Sequence, residues 1–273
     1  MLLLGLTGSI ATGKSTVSSL LSQAPYNLPI IDADLLARKV VEPGTSGYNK
    51  IFAHFLSTTP DLLLPASAVG EHGPNGKGRP LNRPALGRRV FGDEAERKRD
   101  RAVLNGIVHP AVRWEMYKAV LYYYLKGYWA VVLDIPLLFE SGLDLICGVV
   151  MVVAVSDPEI QTKRLRERDA HLTAEDARSR VLSQGDVREK ARRAEMRGEG
   201  AGVMIWNDGG KDELERELRR VMREVGERHP VWWAWVLLLL PPLAGCAGLK
   251  SLIRSWLMAR RWEAGKQQEK AKL

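Results

Sequence analysis

Apolar residues in this chain fall in continuous runs. Residues 2–6 form one, and residues 28–31 form a second that ends on Asp32. WAVVLD at 129–134 and GVVMVVAV at 148–155 are stronger, and 203–206 is a weaker fifth. Strands buried on both faces read this way, because neither face meets water. Segments with helical spacing lie between them, at about 13–22, 110–125, 161–168, 173–184 and 211–225. The fourth opens on Thr173-Ala-Glu-Asp176, which resembles a capping box. The last has acidic residues early and basic ones late, which suits the helix dipole. The pattern predicts an α/β domain over 1–228 with a central parallel sheet. Residues 57–83 are rich in Pro and Gly without a period, and read as a surface insertion.

The pattern then changes. Residues 229–249 contain no Asp, Glu, Lys or Arg and include VWWAWVLLLLPPLAGCAGL. A spanning helix needs about 20 apolar residues, so a membrane segment is expected here. Trp232, Trp233 and Trp235 suit an interfacial belt. Pro241-Pro242 interrupts the run, which leaves either a kinked span or a shallow hairpin. Residues 250–273 form a basic amphipathic tail. Its seven Lys or Arg against two Glu supply +5 of the net +8. A basic tail beside an apolar run points to membrane lipid, through 229–262, and no nucleic-acid partner is expected. The expected location is a membrane, with the folded domain on the cytosolic side. Two distant cysteines make neither a disulfide framework nor a metal pattern. Residues 1–5 run straight into the first loop, so no N-terminal presequence is expected.

That loop carries the chemistry. Gly8-Ser-Ile-Ala-Thr-Gly-Lys14-Ser15 fits G-x-x-x-x-G-K-[ST] between an apolar strand and a helix. Such a loop points successive N–H groups at a phosphate. Gly8 and Gly13 permit the turn and the close approach. Ala11, Thr12 and Thr16 complete the cradle, Lys14 faces the β- and γ-phosphates, and the Ser15 hydroxyl suits Mg²⁺. The motif implies ATP as cofactor with Mg²⁺.

Beyond the loop the chain resembles the dephospho-coenzyme A kinase family, in the form with an apolar C-terminal segment. The resemblance rests on GLTGSIATGKSTV (5–17), IDADLLARKVVEPG (31–44), LNRPALGRRVF (81–91), LNGIVHPAV (104–112), DIPLLFESGL (134–143), QTKRLRERD (161–169), Gln184 and Asn207-Asp208-Gly209. It implies a three-layer P-loop fold with a helical substrate-binding subdomain and a lid. The implied reaction is transfer of the ATP γ-phosphoryl group to the ribose 3′-hydroxyl of dephospho-coenzyme A.

Within that frame the residues acquire roles. A sugar hydroxyl needs a carboxylate to take its proton. Asp32 and Asp34, two apart at a strand end, would share a side if the chain stays extended. Asp34 is expected as base, with Asp32 orienting it or holding metal-bound water; a helix N-cap accounts for only one of them. Asp134 ends a strand and is expected to support Mg²⁺. Arg164 and Arg168, four apart in the lid, are expected to close over the phosphates. Arg38 is expected at substrate phosphate, Asn207 and Gly209 at adenine, and His109, Leu138, Phe139 and Glu140 along the acceptor pocket. Ser9 and Ala11 stand where the family usually has glycine. Two other readings stay open: a non-catalytic nucleotide-binding scaffold, and a P-loop kinase for another small alcohol.

Overall fold

A computed structural model describes residues 1–169, 172–183 and 187–271. In chain order the elements are β1 (Leu2–Gly8), α1 (Lys14–Ser22), β2 (Ile30–Asp32), α2 (Ala33–Lys39), α3 (Ser46–Phe55), α4 (Ala66–Val69), α5 (Arg83–Val90) and α6 (Ala95–Leu125). There follow β3 (Ala130–Asp134), a 3₁₀ turn (Leu143–Ile146), β4 (Val149–Ala154), α7 (Pro158–Arg168), α8 (Ala174–Ser183), α9 (Val187–Glu195), β5 (Gly202–Trp206), α10 (Lys211–Arg228), α11 (Val231–Leu239) and α12 (Pro241–Ala271). The chain divides into two compact units, Asp32–Leu121 on one hand and Met1–Ile31 with Tyr122–Leu273 on the other.

The larger unit is built on a five-stranded sheet in the order β2-β3-β1-β4-β5. β1 pairs in parallel with both β3 and β4, and β4 with β5. Every residue of β3 and β4 is buried, which is why those runs do not alternate. Leu4, Leu6, Val132, Met151 and Ile205 pack with Leu21 of α1 and with Leu214, Leu218, Val221 and Val225 of α10. The latter recur every three to four residues, so α10 presents one apolar stripe to the sheet.

The smaller unit has its own core of Tyr48, Ile51, Phe55, Leu62, Leu81, Leu86 and Val90. Its α6 runs 31 residues through Pro110, where the sequence reading starts a helix at that proline. The first turns, Glu96 to Arg101, are all charged, and the apolar residues before the proline that face the core, Leu104, Ile107 and Val108, make only one short stripe. The Pro- and Gly-rich stretch is tied in at both ends. Leu62 and Leu81 are core residues, and Leu63 bridges to Leu81. α9 lies in a basic, polar segment that hides it from a hydrophobicity reading. The proposed end of α8 at Gln184 lies outside the described residues.

Among the described residues no single helix is long and apolar enough to cross a membrane. The apolar run is split instead into α11 and α12, bent by 120°. Leu240 leaves the helical region at φ −120° and ψ 76°, as expected of a residue that precedes proline. α11 and α12 both belong to the larger unit and pack on the rest of it. The Tyr124 hydroxyl donates to Leu237 O at 2.7 Å, and Trp235 lies against Gly127. Arg197, itself buried, donates to Ser255 Oγ at 3.0 Å, to Cys147 O at 2.7 Å and to Asp144 Oδ2 at 3.3 Å. Burial pushes the Asp144 carboxyl up and the Arg197 guanidinium down, and their pairing opposes both shifts.

The two cysteines differ sharply. Cys147 is fully buried, and burial pushes its thiol up to about 12, whereas Cys246 is exposed. A thiol-disulfide reagent at neutral pH is therefore expected to titrate one thiol in the folded protein and two in denaturant. Two fast-reacting thiols in the folded protein would contradict this packing.

Candidate active site

The phosphate loop begins where β1 ends. Gly8 pairs beside Val153, and a Cβ there would stand 2.7 Å from Val153 O. Only glycine lets the two strands approach this closely. Ala11 takes φ +58° and Gly13 φ +96°. The left-handed region costs alanine about 1 kcal/mol, so Ala11 keeps the loop shape at a small penalty. Gly13 caps α1 without a side-chain hydrogen bond. The first-turn N–H groups are thus left to an anion, together with the positive end of the dipole.

The carbonyl side of the loop is held. The Gln161 amide, buried on α7, donates to Ile10 O at 2.9 Å, and the buried Asn207 amide donates to Thr12 O at 2.8 Å. Thr12 Oγ1 donates to Ser9 O at 2.9 Å. Ser9 Oγ is buried without a hydrogen-bond partner. Arg164 links both amide supports. Its two terminal nitrogens each donate over 2.8 Å, one to Asn207 O and one to Gly209 O. Expected over the phosphates, Arg164 in this structure fastens α7 to the loop after β5. Asn207, expected at adenine, reaches the phosphate loop itself. Gln161 was not foreseen, since a glutamine on a charged helix gives no signal in a single sequence.

Lys14 forms an ion pair with Asp134, whose side chain is buried at the end of β3. The register of β1 and β3 puts Leu6 opposite Asp134, so adjacent strand ends bring the pair together. Ser15 is exposed in the first turn of α1, and Thr16 beside it is exposed too. Arg168 pairs with Asp169 over 3.0 Å.

The acceptor-side expectations divide. Leu138 and Phe139 are core residues, not open pocket walls. Leu138 packs against Gly5, and Arg193 lies 4.7 Å from the Phe139 ring centroid. An apolar dipeptide after a strand reads equally as lining or as core, and here it is core. Glu140 is exposed and faces Lys190 at 3.5 Å.

In the smaller unit Asp32 is the N-cap of α2. Its Oδ1 accepts from Asp34 N at 2.8 Å and from Leu35 N at 3.0 Å. Asp34 therefore belongs to a helix, and the alternation argument for the pair does not hold. Asp34 and Arg38, four apart on α2, open onto a cavity of about 320 Å³ with Arg83. Val41, Ile51, Leu81 and Leu104 supply its apolar wall. His109 is exposed on α6 and is not among its lining residues.

A parallel sheet whose first strand runs into this loop and whose third strand supplies a paired carboxylate defines a P-loop nucleotide-binding protein. The family model for dephospho-CoA kinase matches residues 2–202, and the chain belongs to that family. The dephospho-CoA kinase of Saccharomyces cerevisiae is 41% identical over 261 residues, covering 96% of each chain. That of Geobacillus kaustophilus is 42% identical over 223 residues, 82% of this chain and 96% of its own. The solved dephospho-CoA kinase of Campylobacter jejuni superposes with a TM-score of 0.57 at 26% identity, over 82% of this chain and 97% of that one. The chain is thus an ATP-dependent kinase that phosphorylates dephospho-coenzyme A. α10, α11 and α12 lie beyond the residues that the family model matches.

Gly13→Ala is the sharpest test of the loop. The new Cβ would meet Asn207 Nδ2 and sit at φ +96°. ATP binding measured by calorimetry is expected to fall below detection while the folded far-ultraviolet spectrum is kept. Binding of native strength would contradict the loop geometry.

Proposed function

We propose that Asp34 is the base of this reaction and that the Gly8–Thr16 loop holds the phosphates. The loop's left-handed turn with the Lys14–Asp134 pair at its root supports the phosphate site, and the cavity onto which Asp34 opens beside Arg38 and Arg83 supports the base. As the O3′–Pγ bond forms, the bond from Pγ to the bridging oxygen of ADP breaks, and the hydroxyl proton passes to the Asp34 carboxylate. Lys14 and the α1 N-terminus stabilise the charge that builds on the phosphate oxygens. Arg164 acts through the loop it holds, and Arg168 exchanges Asp169 for phosphate oxygen when nucleotide binds. Asp32, as the cap of α2, sets the direction in which Asp34 points. Arg38 and Arg83, beside an apolar wall, suit a substrate that carries a diphosphate and a pantetheine chain.

A hydroxyl and one carboxylate, from Ser15 and Asp134, fit Mg²⁺, which takes few protein ligands and several from phosphate and water. Bound there, Mg²⁺ would neutralise phosphate charge. Residues 229–262 are read as the means by which the enzyme meets membrane lipid, with its kinase domain facing the cytosol. The support for this is the uncharged run and its basic flank.

Asp34→Asn is expected to lower turnover of dephospho-coenzyme A by about 10²–10⁴-fold in a coupled ADP-release assay, with ATP affinity unchanged. Turnover at the native rate would remove Asp34 as base, and equal activity on plain nucleosides would favour a different acceptor.

A further inference from the structure

The C-terminal helices turn their apolar residues outward. On α12 Ser255 is buried and Ser251, Met258, Ala259 and Trp262 are half-buried. This spacing of 4, 7, 8 and 11 from Ser251 is one helical face, and it is mostly small. It lies against the larger unit through Ser255, and Arg254 beside it donates to Arg197 O at 3.3 Å. The opposite side shows Leu249, Leu252, Ile253, Trp256 and Leu257 to the outside, each at least 41% exposed. α11 does the same with Trp232 at 62% and Leu239 at 76%. A soluble amphipathic helix would reverse this arrangement, and an outward apolar surface on this scale marks an interaction site.

Charge identifies what it meets. No Asp, Glu, Lys or Arg occurs in 229–249. From 250 to 268 the cations Lys250, Arg254, Arg260, Arg261 and Lys266 stand against Glu263 alone. In a two-fold dimer the same patch faces itself, so these cations would oppose their own copies. An anionic bilayer surface instead matches both features: it admits the apolar and tryptophan side chains and attracts the basic ones. The 120° bend and the anchors on Leu237 O, Ser255 and Glu189, which pairs with Lys266, hold both helices along the body. Drawing them out into a span would break these contacts.

We propose that α11 and α12 form a monotopic elbow that docks flat on an anionic lipid bilayer, with Trp232, Leu239 and Ile253 immersed and Lys250 and Arg261 at the headgroups. This rests on the membrane reading above and adds its mode: in plane, one leaflet, one side. Both ends of the elbow then stay with the kinase, which removes the conflict between a cytosolic domain and a basic tail across a single span.

The test is flotation of the full-length protein with phosphatidylcholine vesicles, with and without phosphatidylserine, at low and high salt. Binding is expected with phosphatidylserine and should fall by about tenfold or more in high salt or on neutral vesicles. Leu239→Asp with Ile253→Asp should abolish flotation, and Lys250→Glu with Arg261→Glu should remove the phosphatidylserine dependence. Both variants should keep native turnover of soluble dephospho-coenzyme A, which also shows that they fold. A C-terminal tag should stay open to protease outside sealed vesicles. A protected tag, or equal salt-resistant binding to both vesicles, would overturn the flat mode and leave the membrane reading standing. No binding to either vesicle would overturn both. A concentration-dependent dimer dissolved by Leu239→Asp, without vesicle binding, would assign the surface to a second copy.

Discussion

Everything in this enzyme hangs on keeping a short loop in a shape that an unaided peptide would leave. The phosphate cradle needs N–H groups on one side, and hence carbonyls on the other. Left-handed backbone at Ala11 and Gly13 produces that division, and the buried amides of Gln161 and Asn207 accommodate its consequence by donating to Ile10 O and Thr12 O. A buried carbonyl without a donor would cost about 1–3 kcal/mol. The loop is therefore shaped from behind, by α7 and by the turn after β5, while its open face is left for phosphate.

The sheet explains why those supports are in reach. β4 pairs in parallel with β1, and β5 with β4, so the segments leaving the C-terminal ends of β4 and β5 arrive on the loop's side of the sheet. That is where α/β sheets collect ligands. Arg164 joins the two segments through Asn207 O and Gly209 O, so a change in α7 reaches the cradle by two routes. The far side of β4 is fastened by Arg197, through Cys147 O and Asp144, and the same guanidinium holds α12. One buried side chain thus couples the nucleotide unit to its C-terminal helices.

The strands and the phosphate loop were legible from residues alone, because burial on both faces and a spaced glycine motif leave strong local marks, and the reaction followed from the family resemblance. The place of Asp34 on a helix was not legible. Asp32 and Asp34 look alike in sequence, but Asp32 starts a helix and Asp34 sits within it, and only the local hydrogen bonds separate them. Leu138 and Phe139 illustrate the opposite error, where apolar residues beside a motif are simply core. Gln161 left no trace, since its role depends on a contact 151 residues away. The apolar C-terminal run was visible as a run, but its bend depended on how the chain leaves Leu240 ahead of Pro241.

Nucleotide binding depends on support from the carbonyl side of the loop. The direct measurement is ATP affinity by calorimetry for Gln161→Leu, Asn207→Ala and the double variant, each with its unfolding temperature. Loss of one buried hydrogen bond should weaken ATP by about five- to a hundredfold, and both losses should weaken it further, while the unfolding temperature falls but stays above the temperature of the assay. Native ATP affinity in the double variant would contradict the claim.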